Sequence, residues 1–361
     1  MLHSINPYTH ELIASYEYMS DREIDGMLAH SSRTWSSWRA TSLLQRSSIL
    51  DRLAELLLAS TMEAALMMSN EMGKPLAQGR AEIDKCAMTC RFYAGKLDEL
   101  FVLEQQSPLH PHARIVHEPL GVILAIMPWN FPFWQSIRAS IPAILAGNTV
   151  VIKPAPEVSG CAELLQRVFD AAGLDGVVTT LRASVEQTQR CIAHESIAGI
   201  TFTGSARGGS MVAETAGRNL KKAVLELGGS DALLVCEDAD LGTAAKVAIE
   251  GRMVNAGQSC IAVKRCIVTQ SVQGEFEQAL KQHVTDLRTG DPRDEATTLG
   301  PLARPDLCIT LRNQVQSSLM QGARVVHDGG MSGQGNVFEP MIIADVRRGM
   351  SLVDDEVFGP V

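Results

Sequence analysis

The feature that most narrows the possible folds is a long alternation of apolar β-type runs and helical stretches beginning at Gly121. Residues 122–127 read as a buried strand, 132–146 as a helix in spite of Pro142, and 149–152 as a short strand. A helix over 157–172, a strand over 177–181, a helix over 185–193 and a strand over 197–203 continue the series. A helix over 206–218 and a strand over 222–227 close it. Strands separated by whole helices cannot pair as hairpins. They cross over to parallel neighbours, and a parallel sheet needs helices on both faces. The pattern therefore predicts an α/β fold whose parallel sheet has the architecture that binds dinucleotides at its strand ends.

The flanking segments differ in texture. The first hundred residues read as helices: 21–38, 43–59 capped by Ser42, 61–72 stopped by Gly73-Lys74-Pro75, and 77–101. Cys86 and Cys90 share a face of the last one at i, i+4, a packing pair without the ligands a metal would need. Around 105–120 the chain turns to Ser, Pro and His. Pro108 and Pro111 precede 113–117, which alternates like an exposed strand and reads as an edge ribbon or a linker. A less regular strand–helix alternation resumes over 232–341.

At 361 residues the chain exceeds what one core usually serves, so two domains are expected. A net charge of -9 argues against nucleic acid or an anionic membrane as partner. No apolar run approaches the ~18 residues of a membrane span, and the N-terminus lacks the pattern of a signal peptide. The eight cysteines form no CxxC pair, which fits reduced thiols and a cytoplasmic location. The nine histidines are scattered, with no HExxH or similar set, so no metal site is expected.

Four stretches carry chemistry. Asn255-Ala-Gly-Gln-Ser-Cys260 follows a helical segment over 241–254 and precedes a β-type run over 261–268. A thiol at such a turn can reach a cleft as a nucleophile, although free cysteine is more often a buried small hydrophobe. Phe202-Thr-Gly-Ser-Ala-Arg-Gly-Gly209 joins a strand to a helix, where free N–H groups, the flexible backbone at Gly204 and the Ser205 hydroxyl suit a phosphate. Glu226 lies 22 residues after Gly204. That spacing allows it to be a ribose ligand, while apolar neighbours in Leu-Glu-Leu-Gly-Gly suggest a buried carboxyl with a raised pKa, suited to act as a base. Pro128-Trp-Asn-Phe-Pro132 holds Asn130 rigidly at a strand end, as an oxyanion donor or as a solvated turn residue.

Taken together, Pro128-Trp-Asn-Phe-Pro132, Lys153-Pro154, Phe202-Thr-Gly-Ser205, Glu226-Leu-Gly-Gly229, Gly257-Gln-Ser-Cys260 and Glu356-Val-Phe-Gly-Pro360 resemble the aldehyde dehydrogenase superfamily, in the family's order. Glu71-Met-Gly-Lys-Pro75 matches as well, and the resemblance covers essentially the whole chain. It implies a dinucleotide-binding domain over 1–103 and 122–229, an oligomerisation-type β ribbon over 104–121, and a catalytic thiol domain over 230–361. It also implies that Cys260 attacks an aldehyde, that Asn130 and the Cys260 backbone N–H hold the oxyanion, and that Glu226 activates water to hydrolyse the thioester. NAD or NADP would accept hydride. Lys153 would contact the adenosine ribose, Ser205 the pyrophosphate and Glu356 the nicotinamide ribose, with Phe358, Trp129 and Gly204 completing the cofactor set.

Within the superfamily the pattern is most similar to succinate-semialdehyde dehydrogenases, because Arg138 stands eight residues beyond Asn130. There that group carries an arginine able to pair with the substrate's distal carboxylate; the alternative for Arg138 is a surface or interdomain salt bridge. Two departures follow. Pro156 replaces a Glu common in NAD-preferring relatives, which leaves less to repel a 2′-phosphate, though Glu157 is adjacent. The chain also stops just after Phe358-Gly-Pro360, where family members continue, so an incomplete, C-terminally truncated catalytic domain is expected; in an intact chain the resemblance implies a homo-oligomer. Two other readings stand beside the leading one. One is a non-catalytic remnant that binds nucleotide or associates with subunits. The other is a CoA-dependent acylating enzyme, which the hydrolytic base at Glu226 disfavours.

Overall fold

A computed structural model describes the whole chain except residues 101–103, 107, 108 and 111. Pro108, Pro111 and the expected helix end at Phe101 lie outside the described residues. The N-terminal residues differ from expectation, because Leu2–Ile5 (β1) and Leu12–Tyr16 (β2) pair as strands where only helices were foreseen. Runs of four and five residues carry too few periods to declare themselves in sequence. The helices α1 (Asp21–Trp38), α2 (Leu43–Ala59) and α3 (Thr61–Met72) match the sequence pattern. Ser20 with Glu23 and Ser42 with Gln45 form reciprocal capping boxes, which satisfy the first free N–H groups of α1 and α2. The single helix expected over 77–101 is instead two, α4 (Leu76–Ala94) and α5 (Leu97–Leu100), interrupted at Gly95. Beyond it β3 (Glu104–Gln106) pairs antiparallel with β4 (Arg114–Val116).

The alternating region forms a five-stranded sheet. Its strands are β5 (Val122–Ile126), β6 (Thr149–Lys153), β7 (Val178–Thr180), β8 (Ile197–Gly204) and β9 (Lys222–Leu227), in the order β7-β6-β5-β8-β9 with every pairing parallel. The connecting helices are α6 (Pro132–Leu145), α7 (Ser159–Ala172), α8 (Val185–Ala193) and α9 (Ala206–Arg218). Ile24 and Leu28 of α1 share a core with Ile192 of α8, Val212 of α9 and the strand residues Leu124, Val151, Ile197 and Phe202. α6 and α7 pack on β5, β6 and β7, and α2 packs on both helices.

Packing divides the chain into two units. The first comprises Met1–Ser4, Ala14–Ala64 and Arg80–Leu227; the second comprises Ile5–Ile13, Ala65–Gly79 and Gly228–Val361. Residues 5–13 and 65–79, assigned from sequence to the dinucleotide-binding part, therefore fall with the second unit. Hydrogen bonds within that unit explain it. Leu76 N donates to Pro292 O at 3.1 Å, Gln78 Nε2 to Thr298 O at 3.0 Å, and Asn336 N to Pro7 O at 2.9 Å.

In the second unit β10 (Ala232–Val235) pairs parallel with β11 (Arg265–Val268), flanked by α10 (Leu241–Met253), α11 (Gln273–Val284) and α12 (Pro305–Met320). Val235, Ala245, Ala248, Phe276, Leu280 and Leu311 centre its core. The β-type run expected over 261–268 is only its second half. The ladder begins at Ala232 opposite Arg265, and Ile261 before it is 72% exposed.

Candidate active site

In the first unit the chain leaves β5 for β6 on one side and later enters β8 on the other, so the strand order reverses between β5 and β8. A crevice at the C-terminal ends of such strands is where an α/β sheet binds ligands. Three predicted residues stand at these ends: Asn130 after β5, Lys153 closing β6, and Ser205 after β8. Met127 N bonds Lys153 O at 3.0 Å and ties the first two strand ends together. Asn130 is 5% exposed, which removes the reading of a solvated turn amide. The α6 helix begins at Pro132, whose missing N–H is no loss at the first position. The next two N–H groups, from Phe133 and Trp134, both donate to Glu82 Oε1 at 3.0 and 2.9 Å. Glu82 of α4, itself buried, thus caps α6 from a distance, a role that nothing local in the sequence announced.

Ser205 is the N-cap of α9, with Oγ accepting from Gly208 N at 3.2 Å. The residue is exposed and its hydroxyl hydrogen remains available to a ligand. The glycines here serve packing as well as approach, since a Cβ at Gly204 would meet the Phe202 ring at 2.7 Å. Burial pulls the Lys153 pKa below the usual lysine range, and the neighbouring Glu157 carboxylate pushes it back. A helix N-terminus, a hydroxyl and an amine at adjoining strand ends are the donor set that an anionic dinucleotide with ribose hydroxyls requires, so these residues fit NAD or NADP.

Glu226 lies near the end of β9, and here the sequence expectation needs correcting. β9 is an edge strand, its Ala223 and Leu225 pack on the core, and the Glu226 side chain is 52% exposed. The buried carboxyl foreseen from its apolar neighbours is not there. Its carboxylate faces Arg138 of α6 instead, with Nη1 to Oε1 at 3.8 Å. Arg138 Nε is buried without an acceptor.

Cys260 belongs to the second unit. After α10 the chain makes a left-handed turn, with φ of 54° at Asn255, 53° at Ala256 and 73° at Gly257. Two non-glycine residues in that region carry strain that the surroundings must hold in place. The holding bonds are visible: Asn255 N donates to Gln78 Oε1 at 2.7 Å, Gln258 Nε2 to Asn255 O at 3.0 Å, and Ala303 N to Gln258 Oε1 at 2.9 Å. A side chain at Gly257 would strike the Gly359 carbonyl, so the thiol turn and the Glu356–Pro360 motif pack on one another. The turn leaves Cys260 partly exposed, unlike Cys86, Cys90, Cys161, Cys191 and Cys308, which are buried. Burial pushes the Cys90 thiol up to about 12, which keeps it protonated and inert.

Around this turn the second unit places a group that the sequence reading passed over. Lys264 Nζ donates to the carbonyls of Ser259 at 2.9 Å and Cys260 at 2.7 Å, and lies 3.6 Å from Glu356 Oε1. Arg252, also buried, donates to the carbonyls of Val357, Gly359 and Val361 and so fixes the backbone on either side of Phe358. A cavity of about 600 Å³ near β11 is lined by Lys264, Cys266, Phe276 and Ile343 among others, but not by Cys260, Glu356 or Phe358. Among the described residues no helix is long and apolar enough to cross a membrane.

Compared with known protein families, residues 1–361 match the aldehyde dehydrogenase family. The chain is 42% identical over 360 residues to the succinate semialdehyde dehydrogenase Sad of Escherichia coli (strain K12), which is named for NAD(P)+; the match covers 99% of this chain and 78% of that protein. It is 40% identical to a probable NADP+-linked succinate-semialdehyde dehydrogenase of Synechocystis sp. (strain PCC 6803), over 99% of this chain and 79% of that one. Among solved structures it resembles succinic semialdehyde dehydrogenase from Streptococcus pyogenes in complex with NADP+. That likeness has a TM-score of 0.95 at 33% identity and covers 100% of this chain and 80% of the other.

Proposed function

The chain belongs to the aldehyde dehydrogenase family, and from that premise we propose that it oxidises succinate semialdehyde to succinate through a thioester on Cys260. The observation that carries the reaction class is the family match across residues 1–361. The substrate is supported by the names of the relatives and by Arg138, a guanidinium with a buried donor still to be satisfied. Bound NAD(P)+ supplies the hydride acceptor that the oxidation needs.

In this reading Cys260 is the nucleophile. Its thiolate adds to the aldehyde carbon, and the carbonyl oxygen takes the negative charge of the thiohemiacetal. The Asn130 amide and the Cys260 backbone N–H donate to that oxygen; one such donor contributes roughly 2.7–4 kcal/mol to lowering a barrier. Once the carbon has lost its hydride, Cys260 holds the acyl group as a thioester. Glu226 then takes a proton from water as the water oxygen attacks the acyl carbon, and Cys260 leaves as thiolate. The exposure of Glu226 suits a base that must meet water. With the cofactor bound, Ser205 and the start of α9 would hold the pyrophosphate, Lys153 the adenosine ribose and Glu356 the second ribose, with Trp129, Gly204 and Phe358 completing the set.

The test combines two variants of the protein. Cys260→Ala should abolish aldehyde-dependent formation of reduced nicotinamide while cofactor binding persists. Glu226→Gln should slow deacylation, so that intact-protein mass spectrometry detects an acyl adduct on Cys260. Substantial turnover by Cys260→Ala would remove the mechanism.

A further inference from the structure

Lys264 is four residues beyond Cys260, and its side chain is only 1% exposed. A buried ammonium is costly unless each of its protons meets an oxygen. Here its partners are the hydrogen-bonded carbonyls of Ser259 and Cys260 and, at an ion-pair distance of 3.6 Å, the carboxylate of Glu356. Two of the three thus belong to the turn that presents the thiol, and the third to the carboxylate read above as a cofactor ligand. Its own backbone is fixed too, with Lys264 N donating to Asp231 O at 3.0 Å.

We propose that Lys264 is a positioning residue of the dehydrogenase reaction, whose single buried cation sets both the Cys260 turn, through the Ser259 and Cys260 carbonyls, and the Glu356 carboxylate, through their ion pair. The proposal rests on the reading of Cys260 as nucleophile and Glu356 as ribose ligand.

The turn is strained at Asn255 and Ala256, and strained backbone persists only where it is over-determined. Gln78 and Gln258 hold its beginning, and Lys264 holds its end at Ser259 and Cys260. Glu356 receives its charge partner from the same side chain, so that loosening Lys264 loosens the carboxylate. Burial pulls the Lys264 pKa down and Glu356 pushes it back up. The charged and titratable groups around the ammonium are Glu356, Arg252, Asp231 and Cys260.

The experiment compares Lys264→Met, which keeps an unbranched side chain without charge, and Lys264→Gln, which keeps a donor without charge. For each, the rate of alkylation of Cys260 by iodoacetamide is measured at one pH, and KM for NAD(P)+ is measured apart from kcat. Both variants should slow the alkylation of Cys260 severalfold, because the turn that presents the thiol has lost its anchor at the Ser259 and Cys260 carbonyls. KM for NAD(P)+ should rise roughly fivefold, the factor that a loss of about 1 kcal/mol gives. A residue that merely supported the fold would lower the thermal midpoint without moving either readout. In a cycle with Glu356→Gln, the double variant should show no further rise in KM beyond the single Glu356→Gln. An unchanged alkylation rate and an unchanged KM in either folded variant overturn the proposal. If alkylating Cys260 leaves wild-type turnover intact, the reading of Cys260 itself has failed, an outcome distinct from failure at Lys264.

Discussion

Replacing Arg138 by Ala tests substrate choice, and the structure changes the size of the expected effect. A charge-assisted hydrogen bond between the guanidinium and a distal carboxylate contributes roughly 1.5–3 kcal/mol. Arg138, however, already faces Glu226 at 3.8 Å, with side chains 39% and 52% exposed. An ion pair that open to solvent and that long contributes between about 0 and 1 kcal/mol, and the incoming carboxylate must displace it. The net preference is then roughly 0.5–3 kcal/mol, a factor of about 2 to 150. Steady-state kinetics of wild type and Arg138→Ala with succinate semialdehyde and with butanal measures it. KM for the charged aldehyde should rise by that factor, and KM for butanal should change little, since butanal has nothing to offer the guanidinium. Under the proposed mechanism kcat for butanal should increase in the variant, because Glu226 no longer has a cation to stay with. Equal rises in KM for both aldehydes would refute the argument and leave Arg138 as a residue of the α6 surface.

Two predictions concern stability. Glu82→Ala removes the carboxylate that caps α6 from α4 and should cost about 1–2 kcal/mol, read as a lowered urea midpoint; Glu82→Gln keeps an acceptor oxygen and should cost less. The Glu277 carboxyl pKa is held below the ordinary range chiefly by its hydrogen bond from Arg324, whose Nη2 lies 2.8 Å from Oε1. A carboxyl whose pKa is lower in the folded chain contributes stability that is present above its unfolded pKa and is lost as pH falls through the folded one. Wild type should therefore melt above Glu277→Gln at neutral pH, and the gap should close on acidification below the ordinary carboxylate range; a gap that stays constant down to strong acid would contradict this.

The central sheet was legible because β5, β6 and β8 are largely buried on both faces, and the helices between have their own period. Residues 185–193, 206–218 and 222–227 are predicted and observed with the same limits. What periodicity does not encode is lateral order. Nothing in Lys222-Ala-Val-Leu-Glu-Leu227 says that this strand is an edge, yet that position is why Glu226 stands half in solvent, paired with Arg138. Contacts between distant parts of the chain are invisible for a related reason. Glu82 is read as one more charge on α4 until α6, some fifty residues on, begins against it, and Gln78 is a helix residue until Asn255 donates to it.

Lys264 is the more instructive omission, since it lies close to Cys260 in sequence and was still missed. If the run 261–268 were one strand, residues 260 and 264 would sit about 13 Å apart along it at ~3.3 Å per residue. Extended chain gives a lysine no way to return its ammonium to the carbonyl four residues back. The observed ladder starts only at Arg265, and the stretch before it turns, with Ala262 N bonded to Ser259 O at 3.2 Å. That turn shortens the path and lets Nζ close on Cys260 O at 2.7 Å. The apolar residues that made the run look like a continuous strand are themselves divided: Ala262 is fully buried while Ile261 is 72% exposed. A cation that bonds the Ser259 and Cys260 carbonyls needs the chain to fold back at this point, and a continuous strand through 261–264 would carry Nζ out of reach of both.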